Sequence, residues 1–406
     1  MNIRTITYFV DPAFPIADER LAAAGRAAME IRAALEGAGY TVQTVRLATP
    51  PFPRLVGSNP ANARKFALDL EAACFINQFD YAALGPVRPG DPPEVFSLIP
   101  DLLGATQTVF ASAIIADVAG GVSLPAVRRV AEVIQHCATI SPDGLGNVRF
   151  AALANVPPGS PFFPAAYHDG GVATFSIGVE AADLAVSAMA EATSLSDGRL
   201  RLIRLVEEHA QKITKAAKKA SGLRGLRFGG IDFSLAPYPE ASRSLGTALE
   251  RLSGGRVGEH GTLAAAAFVA DALDRAKFAH VGFSGLFFPV LEDTALAARA
   301  VEGKLAVGDL LLYCSVCGAG LDTLPLPGDI SASALSAILL DVAALAMRLN
   351  KPLTARLMPI PGKSAGDPVK LDFAYFAPSR VLAPLATGLG GLFAGDESFD
   401  LAPRSR

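Results

Sequence analysis

Apolar residues fall into two regimes that alternate along the chain. Ile3 to Val10 switches between apolar and polar positions as a strand does, and Glu19 to Leu35, with Asp18 placed to cap it, repeats its apolar residues at helical spacing. The same pair of patterns then recurs. Further strands are expected over 41–47, 81–85, 108–115, 148–154, 172–179, 226–233, 280–288 and 353–358, with 371–376 as the last. Helices return the chain between them. Asn59, with Pro60 in the first helical position, opens one through Phe75, and Pro125 starts another through Cys137. Ser331 or Ser333 caps the most regular, 334–349, whose Leu335, Ile338, Leu339, Val342, Leu345, Ala346 and Leu349 share one face. The run Asp309 to Leu312 reads as a buried strand that empties into a stiff loop, Tyr313 to Asp329, shaped by Gly318, Gly320, Pro325 and Pro327. Such alternation argues for a parallel sheet, and its length for a single α/β barrel of about ten strands with helices outside. Residues 1–395 form that domain in this reading, and 396–406 a flexible tail.

Composition narrows the class. Of 406 residues, 51% are hydrophobic and 18% charged, so much of the sheet must be covered on both faces. A net charge of −3 without a basic run leaves no electrostatic footprint for nucleic acid. Met1 to Thr7 lacks the apolar core of a signal peptide, and no unbroken apolar run reaches the length of a bilayer. The expectation is a soluble, cytoplasmic protein with a small-molecule substrate and no nucleic-acid or membrane partner, with self-association left open. Four cysteines are too few for a disulfide framework, so the thiols are expected to be reduced.

Candidate chemistry gathers where strands end. Cys314 and Cys317 form a Cys-x-x-Cys pair, but Gly318, Gly320 and Pro325 follow it where a thioredoxin-type site would open a helix. Cys314 is therefore expected to be inert core and Cys317 the reactive thiol. His168, beside Tyr167, closes a proline-stiffened segment and can serve as a general acid or base near neutral pH. Asp322 joins these as a catalytic carboxylate. Arg356 stands in an apolar strand and needs an anionic partner if buried, either one of the carboxylates or a substrate. With Lys363, Asn155 and His260 it makes up the expected substrate-binding set. Asp232, Glu292 and Asp293 also follow strands and, converging, would bind Mg²⁺ or Ca²⁺ through oxygen ligands; singly, each is a helix cap or turn anchor.

Three long runs resemble one family. They are Asn155-Val156-Pro157-Pro158-Gly159 with Pro161-Phe162-Phe163-Pro164-Ala165-Ala166-Tyr167-His168, then Cys317-Gly318-Ala319-Gly320-Leu321-Asp322, and Thr354-Ala355-Arg356-Leu357-Met358-Pro359-Ile360-Pro361-Gly362-Lys363. Together they look like the domain of unknown function 711 family, which is grouped with pyruvate formate-lyase-like proteins. The resemblance implies a ten-stranded α/β barrel in two five-stranded halves. It also implies a reactive cysteine on a loop inside the barrel, a position assigned here to Cys317. The family fold's radical-glycine context, Arg-Val-x-Gly-aromatic, does not match Thr387 to Gly395, so no glycyl radical is expected. The functional expectation is a lyase, transferase or isomerase acting on a polar, carboxylate-bearing metabolite. A metal-dependent hydrolase or lyase, and a non-catalytic metabolite-binding protein, are the alternatives.

Overall fold

The protein is described by a computed structural model covering residues 1–222 and 226–403. Ten strands carry the architecture: β1 Asn2–Phe9, β2 Val42–Pro51, β3 Tyr81–Gly85, β4 Val109–Asp117, β5 Gly121–Ser123, β6 Phe150–Ala154, β7 Thr174–Glu180, β8 Arg227–Asp232, β9 Gly320–Pro327 and β10 Leu353–Ile360. Nine of them pair in the order β8-β7-β1-β2-β3-β4-β6-β10-β9, and the short β5 folds back antiparallel on β4. It is a mixed α/β fold built on one large sheet.

The pairing directions divide the sheet into two blocks. β1, β2, β3, β4 and β6 are mutually parallel, as are β7 with β8 and β9 with β10. The blocks meet antiparallel at β1–β7 and again at β6–β10. An extended segment, 279–290, carries parallel bridges to both outer strands: Ile231 with His280 and Leu235 with Leu286 on the β8 side, and Pro289 with Asp322 on the β9 side.

Helices form where the apolar spacing demanded them. Asn59 Oδ1 accepts from the Ala61 and Asn62 amides ahead of Pro60–Ile76, and Ser331 Oγ accepts from Ala334 N ahead of Ala332–Leu349. Asp18 is instead the first residue of Asp18–Gly37, with no side-chain cap. Ala332–Leu349 is the one helix among the described residues long and apolar enough to cross a membrane; it packs on Leu124–Ala138 and β10. One continuous core joins the helix faces to the strands.

Three expected elements differ, among them 280–288, which makes isolated bridges rather than a laddered strand. Asp309 to Leu312 lies in a helix, Val307–Tyr313, and the strand begins only at Gly320. A short apolar run fits either state, and Pro325 and Pro327 hid the strand. They are tolerated because β9 pairs there with β10 alone, leaving no ladder on the side where an amide is missing. Residues 371–376 form turns rather than a strand. Of the tail expected over 396–406, residues 404–406 lie outside the described residues; within the rest Ser398–Phe399 pairs with β5, and Arg128 holds Asp396 and the Gly395 carbonyl.

Candidate functional site

Because the blocks are antiparallel, the strand starts of the first share an end of the sheet with the strand finishes of the second. That end holds a cavity of about 110 Å³. β1 contributes Arg4, β2 contributes Arg46, and Tyr81 and Phe110 stand nearby on β3 and β4. From the second block come Asp232 at the end of β8, Glu292, Asp322 on β9 and Arg356 on β10. The connection between the blocks, 155–173, presents Pro161, Phe162 and Phe163 to the space, and Thr7 Oγ1 fixes it by donating to the Pro161 carbonyl at 3.0 Å. Phe373 and Tyr375 complete the wall.

A chain of ion pairs lines one side. Arg356 bridges Asp322, Nε to Oδ1 at 2.6 Å, and Glu292, Nη2 to Oε1 at 2.8 Å. Glu292 passes its other oxygen to Arg4 at 3.1 Å, and Arg4 also holds Glu180 at 2.8 Å. Glu180 accepts from Arg243 and, at 3.1 Å, from Gln43. Three guanidinium groups thus share these three carboxylates, and Arg243 has Glu240 as a further partner at 3.7 Å. Burial pulls the Arg4 and Arg356 guanidinium pKa values down, but the neighbouring carboxylates outweigh it and hold both above the ordinary value. Burial raises the Glu292 carboxyl against the pull of Arg356 and Arg4.

Arg46 stands outside this chain of ion pairs. Among the described residues no carboxylate lies within ion-pairing distance of it. Its Nε donates to Thr44 Oγ1 at 2.9 Å, and its guanidinium lies 5.0 Å from the Phe163 ring centre and 5.7 Å from that of Tyr81. Burial, with repulsion from Arg4, lowers its pKa to about 9. Among the described residues Arg46 is thus the one cavity-lining guanidinium without a carboxylate in ion-pairing distance, and it stands in a mainly aromatic setting. Asp232 is the other distinctive group. It is buried and accepts from Ser234 Oγ, from Phe283 N at 3.0 Å and from Ser284 N at 2.9 Å. Burial nonetheless raises its pKa above the ordinary carboxyl range.

The expected residues divide between the two ends. Asp322, Arg356, Glu292 and Asp232 all line the cavity, and the pairing expected for Arg356 is formed. Cys317 is not on the interior segment, which contains no cysteine. It lies in the turn before β9, at the other end of the strands, and lines a separate cavity with Lys351. His168 is at that far end too, its amide donating to Thr49 O at the finish of β2 and its Nε2 3.1 Å from Gly171 O. Tyr167 is core, its hydroxyl donating to Val156 O at 2.9 Å and its pKa pushed up to about 12 by burial. Asn155 adopts a positive φ of 55° and faces Asn350 at 3.4 Å. His260 is exposed and Lys363 half-buried, and neither lines the cavity.

Asp293 turns out to be a cap. Its carboxylate accepts from Ala295 N and Leu296 N of the helix Thr294–Val301, and also from Ser244 Oγ and Gly246 N. The described residues hold no group of three or more His, Cys, Asp or Glu placed to bind a metal, so Asp232, Glu292 and Asp293 do not converge. Reading the sequence missed Arg4, Arg46, Glu180 and Tyr375, which stacks under Arg4 at 4.5 Å. The signal was weak: Arg4 and Arg46 stand in strands that alternate apolar and polar residues, unlike Arg356 in its apolar strand.

Comparison with known proteins follows this geometry. The family model described as uncharacterised ACR (DUF711) matches residues 1–372. A UPF0210 protein of Oenococcus oeni is 34% identical over 359 residues, covering 82% of this chain and 77% of that protein. UPF0210 proteins of Acetivibrio thermocellus and Neisseria meningitidis serogroup C are 32% and 30% identical over 351 residues, with the same coverage. Among solved structures, an anaerobic ribonucleotide reductase aligns with 87% of this chain and 70% of its own at 10% identity and a TM-score of 0.37.

Proposed function

We propose that this chain, which belongs to the DUF711 family, is a small-molecule enzyme acting on a metabolite with one carboxylate and a compact apolar body. In this reading the nine paired strands and the extended segment 279–290, bridged to both outer strands, act as one ten-stranded barrel around the cavity. The observation that carries the reading is Arg46. Arg4, Arg243 and Arg356 pair with Glu180, Glu292 and Asp322, whereas Arg46 lines the cavity with no carboxylate partner among the described residues, so its ion pair is unmade. A single substrate carboxylate completes it, forming charge-assisted hydrogen bonds in a setting dry enough for them to count. The rings of Tyr81, Phe110, Phe162 and Phe163 select an apolar body.

Asp232 is the general acid or base. It lies across the cavity on the second block, its Oδ atoms are oriented by two backbone amides and Ser234, and its raised pKa suits proton transfer nearer to neutrality. Proton abstraction or return beside an anchored carboxylate is the common element of lyase and isomerase chemistry, and transferase chemistry remains compatible with the same site. Cys317 is not part of this cavity, so turnover in it proceeds without that thiol.

The test is a calorimetric titration with a panel of short-chain monocarboxylates, their amides and the corresponding dicarboxylates. Monocarboxylates should bind, amides should not, and Arg46→Met should abolish the difference between them. Once a substrate is in hand, Asp232→Asn should retain binding and lose turnover. Equal binding of acid and amide, or carboxylate affinity unchanged in Arg46→Met, would overturn the reading. Binding without any turnover in the wild-type protein would make the chain a metabolite-binding protein instead.

A further inference from the structure

Cys314 and Cys317 stand apart from the cavity and need their own account. They occupy one helical turn that extends the helix Val307–Tyr313: Cys314 has φ −59° and ψ −19°, Val316 N donates to Tyr313 O at 3.0 Å, and Cys317 N donates to the same carbonyl at 2.8 Å. Residues three apart on such a turn have neighbouring side chains, and here the Cys314 thiol hydrogen-bonds to Cys317. The Cα separation of a helical turn falls inside the roughly 4.4–6.8 Å that a disulfide spans.

The surroundings favour a thiolate at one of the two. Gly320 N donates to Cys317 Sγ at 3.4 Å. Lys351 brings its ammonium to the same turn, donating to the Cys314 carbonyl at 3.0 Å and to the Cys317 carbonyl. Cys317 opens on a cavity of about 400 Å³ whose charged lining groups are Lys351, Asp271 and Asp274, while Cys314 does not line it. The turn is held close to its neighbour: a Cβ built on Gly318 would come within 2.7 Å of Gly285 Cα. All four cysteines are buried; what sets Cys74 and Cys137 apart is that they lie within helices and line neither cavity.

We propose that Cys314 and Cys317 form a thiol–disulfide exchange site on this second cavity, Cys317 attacking and Cys314 resolving, with a low-molecular-weight disulfide as the oxidant. The Cys317 thiolate attacks one sulfur of that disulfide, whose S–S bond breaks and releases one thiolate. Cys314 then gives up its proton to that departing thiolate and attacks Cys317 Sγ, expelling the second thiolate, which takes up from solvent the proton Cys317 lost on ionising. Two protein thiols are oxidised to one disulfide, and one small disulfide is reduced to two thiols. A hydrogen bond from Cys314 lowers the Cys317 pKa to about 7 despite burial, aided by Lys351 and the Gly320 amide, and raises that of Cys314, which fits the division of roles. The sequence argued against a redox pair because no helix follows it. The structure supplies what a following helix would have supplied, an amide on Sγ and an ammonium beside the turn.

The experiment uses the full chain, reduced, with glutathione disulfide as the probe and mass spectrometry of alkylated peptides as the readout. Wild-type protein should form the 314–317 disulfide while Cys74 and Cys137 stay alkylatable. Cys314→Ser should accumulate glutathione on Cys317, whereas Cys317→Ser should leave Cys314 unmodified. Lys351→Met should slow the loading of Cys317 several-fold through a smaller thiolate fraction. The proposal is overturned if wild-type protein keeps both thiols under conditions that oxidise a small dithiol. It is equally overturned if Cys314 in the Cys317→Ser protein loads as fast as Cys317 in the Cys314→Ser protein. The wild-type measurement needs no substitution, so a folding defect in a variant does not blunt it.

Discussion

Arg46 is where the energetics of single residues bear most directly on function. A guanidinium facing aromatic rings without a counter-charge costs the empty protein stability, and that cost is relieved when a carboxylate arrives. Its pKa of about 9 lies below the unfolded value, so between about pH 9 and the ordinary guanidinium range the unfolded chain binds more protons than the folded one. The sign follows: this group's destabilisation is fully present below pH 9 and fades as pH rises through that window. Carboxylate binding should show the opposite dependence, flat from pH 7 to 8 and falling above about pH 9, which titration calorimetry over that range would reveal. Arg46→Met should weaken monocarboxylate binding roughly ten- to hundredfold, the worth of one charge-assisted contact, without lowering thermal stability. Part of this site was legible beforehand. A buried arginine in an apolar strand demands an anion, and that argument called for one of the carboxylates or a substrate at Arg356; the partners are Asp322 and Glu292. Arg4 and Arg46 gave no such signal, because their strands alternate apolar and polar residues and an arginine there reads as a solvated position.

Elements were legible wherever periodicity ran long enough to exclude the other state. Ala332–Leu349 and Pro60–Ile76 came out with their caps, while Val307–Tyr313, only two turns long, was indistinguishable from a buried strand. Asp293 is the helix cap that each carboxylate was expected to be when taken singly. Four donors converge on its carboxylate, from the start of Thr294–Val301 and from Ser244 and Gly246 across the packing interface, so it ties two helices together. Asp293→Ala should cost about 2–4 kcal/mol in urea unfolding, cap loss plus buried donors left unpaired, and added Mg²⁺ should not restore it in either form. Restoration by metal would return Asp293 to a ligand role. The junction of the Cys317 turn with segment 279–290 makes a second element-scale prediction. Gly318 and Gly285 approach so closely that Gly318→Ala must push the turn away, at roughly 1–3 kcal/mol, whereas Gly90→Ala, at a position with open space around it, should stay near neutral.

The direction of the two blocks was the least legible feature and the most consequential. Each block, read by itself, is a run of parallel strands, and nothing in a strand's local pattern records how it lies relative to a strand a hundred or more residues away. The proline-rich connection 155–173 sets the reversal by its path through the interior, and that path depends on contacts such as Thr7 with Pro161, made only once both blocks exist. Assuming a single direction places every strand finish on one face and gathers Cys317, His168 and Asp322 there. With the blocks antiparallel, Asp322 faces the arginine cavity and Cys317 opens at the far end. Mutual dependence also governs folding. β1 and β6 each complete their pairing against a strand of the other block, so either block alone exposes two long apolar edges, a state that aggregates rather than folds. The intact chain should therefore unfold in one cooperative urea transition followed by near-ultraviolet circular dichroism. Fragments 1–173 and 174–406, produced separately, should each lack that signal and regain it only when refolded together. A fragment that shows its own cooperative transition would mean that the two blocks are independent domains and that the cavity between them is an interface rather than a core.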